Sequence, residues 1–213
     1  MPSTFPTFAR AERSALADLA VEVGPDAPTL CDGWTVKDLV VHLLVRERNP
    51  LAQAGELVPP LSPLTKRATE RWGRADLPLL ADQLRRPFLT WAAIGPVDRL
   101  VNTVELFVHH EDVRRAQPGW TPRDLPDTAE DELWRLFKPV AVMATRKVGA
   151  PLVAVDSRNG RRVVLRRGDG PAVVTGRPQE LVLRLLGREQ AHDVDVSGPD
   201  LAVRRFQIAT LGF

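Results

Sequence analysis

The chain of 213 residues has a single cysteine, Cys31, so it can form no internal disulfide, and nothing in its composition demands an oxidising compartment. It also lacks any apolar run near the roughly 18 residues that a membrane-crossing helix requires. Excess charge of either sign is missing too. Twenty-nine Lys and Arg face 27 Asp and Glu, leaving a formal net charge of +2. The basic pairs Arg114-Arg115, Arg161-Arg162 and Arg166-Arg167 each stand beside acidic or apolar residues. They read as solvated surface, and no nucleic-acid or membrane partner is expected. Met1 to Arg10 lacks a charged start followed by an apolar core, so no signal peptide is expected and the expected location is cytoplasmic. Tyrosine is absent, and there are only four histidines: His42, His109, His110 and His192.

What is present fits a folded protein. Apolar residues make up 44% and charged residues 26%, ordinary values for a globular chain. The length suits one large domain or two small ones. The first two thirds read as helices. Thr7 to Val23 carries Phe8, Ala11, Leu16, Leu19 and Ala20 at helical spacing. After the break at Gly24 to Pro28, a second helix runs from Trp34 to Arg48, with Thr35 as N-cap and Asp38 three residues on. A Pro-rich stretch with Pro59, Pro60 and Pro63 follows. Leu64 to Gly95 reads as helix in two pieces broken near Gly73 to Pro78. A long helix starts at Pro96 and stops at Pro118-Gly119. Another is expected from Thr128, its N-cap, to about Val148, with a kink or early stop at Pro139.

Beyond Gly149 the pattern changes. Leu152–Asp156 and Arg162–Arg166 read as strands around a Ser157-to-Gly160 turn, and Ala172–Thr175 as a third. A helix from Gln179 to Leu186, a strand over Val194–Val196 and a short helix from Leu201 to Ile208 complete the reading. The expected organisation is a mainly α chain: a helical bundle over 1–149 and a small α+β domain over 150–213.

The Pro96 helix carries the chemistry. Asp98, Asn102, Glu105, His109 and Asp112 recur at spacings of four, three, four and three, which aligns them on one face. Glu105 and His109 lie one turn apart. They form either an ordinary helical pair or two ligands for one ion. His42 lies in the apolar run Leu39 to Val45, so burial and a partner are expected for it. It is the residue on another bundle helix that would complete a three-ligand set. Three protein ligands leave a position open, as in catalytic zinc sites. His110 sits about 100° off the Glu105 face, so His109 is preferred. His192 reads as surface. Cys31 has no evident base partner and is not expected to be a nucleophile. Asn102 either orients a ligand or meets solvent. Asp38 either holds His42 or caps its helix.

The segment Leu30-Cys31-Asp32-Gly33-Trp34-Thr35 through His42-Leu43 resembles the start of mycothiol-dependent maleylpyruvate isomerase-like proteins, within the DinB-like metal-binding superfamily. Glu105 to His109 resembles that family's second metal-binding helix, and the likeness continues through Glu111 to Ala116. Gly176-Arg177-Pro178 through Leu186-Gly187-Arg188 is similar to the family's sterol-carrier-like C-terminal domain. The resemblance implies a DinB-like four-helix bundle holding a divalent ion, typically zinc, on His42, Glu105 and His109. It also implies mycothiol as cosubstrate, a small electrophilic substrate, and an arginine matching Arg188 that binds substrate or thiol. Thiol-dependent isomerisation or S-transfer is the implied activity. The alternative is a non-enzymatic sensor, carrier or interaction module on the same scaffold. A monomer or homodimer is expected.

Overall fold

The computed structural model describes residues 7–49, 60, 62–86 and 96–212, with side chains from residue 102 onward in the last segment. It forms two compact units, Met1–Thr121 and Pro122–Phe213. Among the described residues the chain is mainly helical, with one four-stranded sheet. None of the described helices is long and apolar enough to cross a membrane.

The first unit holds α1 (Phe8–Val23), α2 (Val36–Arg48), α3 (Ser62–Gly73), α4 (Leu77–Arg85) and α5 (Pro96–Arg115). Helix α1 packs against α4 and α5, and α2 packs against α3 and α4. The core joins Leu16 and Ala20 of α1, Leu39, Leu43 and Leu44 of α2, Leu80 and Leu84 of α4, and Leu106 and Val113 of α5. Burying each large apolar side chain among them contributes about 1.5–3 kcal/mol relative to exposure. The capping box that the sequence suggests starts α2: Thr35 accepts from the Asp38 backbone N–H, and the Asp38 carboxylate accepts from the Thr35 backbone N–H. The expected break between the two middle helices falls at residues 74–76. The stretch expected to reach Gly95 runs, past Arg86, outside the described residues, as do Pro59 and the side chain of Asp98.

The second unit holds α6 (Asp127–Ala144), β1 (Leu152–Asp156), β2 (Arg162–Arg166), β3 (Ala172–Gly176), α7 (Pro178–Leu185), β4 (Asp195–Ser197) and α8 (Asp200–Ile208). The sheet order is β2-β1-β3-β4, with β1 and β3 parallel and the outer pairings antiparallel. Helix α6 packs on α7 and β2, and α7 and α8 pack on β3.

Here the structure departs from the expected division at 149/150. Helix α6 belongs with the sheet because its buried stripe, Leu133, Trp134, Phe137 and Ala141, faces that unit. Buried Glu130 adds to the attachment: it accepts from the Gln179 backbone N–H at the start of α7 and pairs with Arg177. Helix α6 also starts two residues early, with Pro126 rather than Thr128 in the cap position, and runs through Pro139 without stopping. Burial of Phe137 and Ala141 on either side offsets the one backbone bond that proline removes.

The reading of Arg114-Arg115 as solvated surface holds only in part. Arg115 is buried, its Nε donating to Glu111 at 2.6 Å and its guanidinium lying 4.8 Å from the Trp120 ring centroid. A buried arginine with a carboxylate on one side and an aromatic face on the other has both charge and stem accommodated.

Candidate metal centre

The loop before α2 places the first pieces. Trp34 N–H donates to the Cys31 carbonyl across a tight turn in which Gly33 has φ 74°, a value that favours glycine. Thr29 Oγ1 lies within hydrogen-bond reach of the Cys31 and Trp34 carbonyls, and Leu30 N–H donates to the Asp112 carbonyl on α5. The loop is thereby tied to the polar face of α5. The Trp34 ring comes to rest 5.0 Å from the His42 ring, and Cys31 Sγ reaches Asp112.

Next come the helices. His42, Glu105 and His109 converge, each offering one ligand atom within 4.8 Å of the others. His42 Nε2 lies 3.7 Å from Glu105 Oε1, and His109 Nε2 lies 4.0 Å from the same oxygen. The imidazole rings of His42 and His109 meet edge to face at 5.7 Å. These nitrogen–oxygen separations are too long for hydrogen bonds. They suit an ion with bonds of about 2.0–2.1 Å, which keeps its donor atoms roughly 3–4 Å apart. His42 is partly rather than largely buried, with 18% of its side chain exposed.

The charge of the Glu105 carboxylate also fits a cation, and its other oxygen, Oε2, is buried against the Arg46 guanidinium. Burial pushes the Glu105 carboxyl up, but the His42 imidazole, the Arg46 guanidinium and His109 outweigh burial and hold it below the ordinary carboxylate range. A carboxylate kept ionised between two imidazoles that lie beyond hydrogen-bond distance is a donor set ready for a cation.

The opposite nitrogen of His109 is already engaged. Its Nδ1 lies 3.0 Å from Oδ2 of fully buried Asp112, and the Cys31 thiol donates to that same oxygen at 3.3 Å. A carboxylate that accepts there places an imidazole proton on Nδ1 and leaves Nε2, which faces Glu105, as the nitrogen to serve as a ligand. Cys31, His109 and Asp112 also form a triad within ligand range of one another. Their atoms, however, are satisfied by hydrogen bonds at contact distance, so the His42, Glu105 and His109 set fits an ion better.

The other sequence candidates separate cleanly. His110 turns to α1, its Nδ1 2.8 Å from Oε2 of buried Glu12, away from the cluster. Asp38 is committed to its cap and Asn102 accepts from Arg46 at 2.7 Å. His192 is half exposed in the second unit, beside Asp193. Arg188, also in the second unit, donates from Nη1 to the Leu186 carbonyl at 2.8 Å. Sequence reasoning missed Arg46 and Trp34, set Cys31 aside as having no evident base partner, although its thiol reaches Asp112, and gave Asp112 no role. Two of these had a signal: Arg46 follows His42 by four residues, and Asp112 follows His109 by three, both same-face spacings.

No protein-family model matches the chain, and no curated protein matches it. Two solved structures do. One is the crystal structure of the mycothiol-dependent maleylpyruvate isomerase, 18% identical, covering 89% of this chain and 90% of that one with a TM-score of 0.58. The other is a histidine-to-alanine mutant of that isomerase, 19% identical over the same shares, with a TM-score of 0.59. At that identity the likeness is one of architecture, and the chain has the fold of the mycothiol-dependent maleylpyruvate isomerase.

Proposed function

We propose that the first unit is a DinB-like four-helix bundle holding a divalent ion on His42 Nε2, Glu105 Oε1 and His109 Nε2, and that the protein is a thiol-dependent isomerase or S-transferase acting on a small electrophile. The observation that carries this reading is the convergence of three ligand atoms within 4.8 Å, around a carboxylate oxygen too far from either imidazole for a hydrogen bond. Nitrogen and carboxylate donors fit zinc. When bound, such an ion would supply Lewis acidity that lowers the pKa of a small thiol such as mycothiol.

The chain's own residues prepare the site. Asp112 fixes the tautomer and ring orientation of His109, as carboxylates behind metal-bound imidazoles do. The Trp34 ring packs on His42 and limits its rotation. The fold likeness to an enzyme described as mycothiol-dependent supports the thiol as cosubstrate. In the second unit, which we assign as sterol-carrier-like, Arg188 is the proposed partner for a carboxylate of the substrate or thiol, its guanidinium anchored through Nη1 just past the end of α7.

Titration of mycothiol into zinc-loaded protein tests the reading. Binding is expected to depend on the metal, to vanish in His42→Ala and to weaken about tenfold in Arg188→Ala, the loss of one charge-assisted contact. Loaded protein that binds no thiol would leave only the non-enzymatic reading.

A further inference from the structure

We infer that Arg46 is a positioning residue that holds Glu105 to single-oxygen coordination, keeping a place on the metal open for the thiol; the inference rests on the metal site proposed above. Glu105 has two oxygens with different surroundings. Oε1 faces the imidazoles of His42 and His109, at 3.7 and 4.0 Å. Oε2 is buried and lies against Arg46 Nη1. That Nη1 also donates to Asn102 Oδ1 at 2.7 Å. The guanidinium, only 10% exposed, is therefore braced by α5 at two points one turn apart.

The placement follows from helical spacing. Arg46 lies one turn beyond His42 on α2, and Asn102 lies one turn before Glu105 on α5, so the residues that meet at the guanidinium share helix faces with the ligands. The physical consequence concerns the carboxylate's freedom. Carboxylates bind metal ions through one oxygen or two. A second bond from Glu105 would occupy a position that three protein ligands otherwise leave for an incoming group. A guanidinium remains charged at every working pH. Its claim on Oε2 is thus permanent, and turning that oxygen toward the metal would strip Arg46 of its counter-ion in a largely buried place.

Cobalt substitution reads this directly, because the visible absorption of Co²⁺ weakens as its coordination number rises. The proteins are wild type, Arg46→Met, Arg46→Lys and Asn102→Ala, each loaded with one equivalent of Co²⁺ and checked for folding by circular dichroism. Wild type is expected to show strong absorption. Arg46→Met should lose most of it as Oε2 joins the metal, Arg46→Lys should restore it by keeping the charge, and Asn102→Ala should show a smaller loss in the same direction. A variant disturbed only in structure would not be rescued by lysine. Should Arg46→Met fail to fold, Asn102→Ala decides by the presence or absence of its loss. Unchanged spectra in the variants, with wild type loaded, would overturn the inference alone. A wild type that takes up no Co²⁺ would overturn the metal site and the inference together.

Discussion

Asp112 acts on the site without lying at its centre. It is fully buried on α5, and one of its oxygens receives both the His109 Nδ1–H and the Cys31 thiol. That contact decides which nitrogen of His109 carries the proton, and so which nitrogen can serve as a ligand. Asp112→Asn presents an amide where the imidazole needs an acceptor, and it permits the wrong tautomer. Metal affinity should fall about 10- to 100-fold, the usual cost of losing such a partner, with the fold retained. Competition with a chromophoric chelator measures it, and an unchanged affinity would show that the His109 tautomer is not set by Asp112. At this scale the sequence was legible for His42, Glu105 and His109, because a helical stripe of spacing four and three survives as a face. The contacts of Trp34 and Cys31 were not legible, and Arg46 showed only as a same-face neighbour of His42. Their roles come from the Cys31-to-Trp34 turn and from the approach of α2 to α5, which only the folded chain brings together.

Among the elements, the β1–β2 hairpin carries a dense charge network. Asp156, at the end of β1 and fully buried, accepts from the Arg158 and Arg161 guanidinium groups and from the Arg158 backbone N–H. Both arginines reach on to Asp131 of α6, and Arg158 also reaches Asp127. Burial pushes the Asp156 carboxyl up, but the two arginines more than offset it and hold it at about 2. A group whose pKa is depressed in the folded state contributes stability above its unfolded value, near 3.9, and that contribution is lost as pH falls toward 2. Acid titration should therefore show part of the stability of wild type disappearing below about pH 4. Asp156→Asn should flatten that part of the profile and cost roughly 2 kcal/mol at neutral pH, a loss of charged hydrogen bonds, read by denaturant unfolding. The same acid profile in Asp156→Asn as in wild type would contradict this account of the hairpin. The strand pattern of this region was readable from alternation and turn residues. The membership of α6 was not, because an amphipathic helix announces that it has an apolar face but not which neighbour covers it.

On the scale of the whole molecule, the chain forms two units, and the residues proposed for the metal all lie in the first. The likeness to the maleylpyruvate isomerase structures spans both units, 89% of the chain, at an identity that speaks for architecture. Chemistry therefore has to be argued from the site, as it must wherever one fold hosts several activities. What the site offers is an ionised carboxylate between two imidazoles, one imidazole locked by Asp112 and the carboxylate braced by Arg46. The most direct test is elemental analysis of purified protein beside His42→Ala and His109→Ala. The account predicts one equivalent of a divalent metal in wild type and loss of most of it in both variants. Wild type with well under one equivalent after exposure to zinc, or a full equivalent retained in both variants, would contradict it.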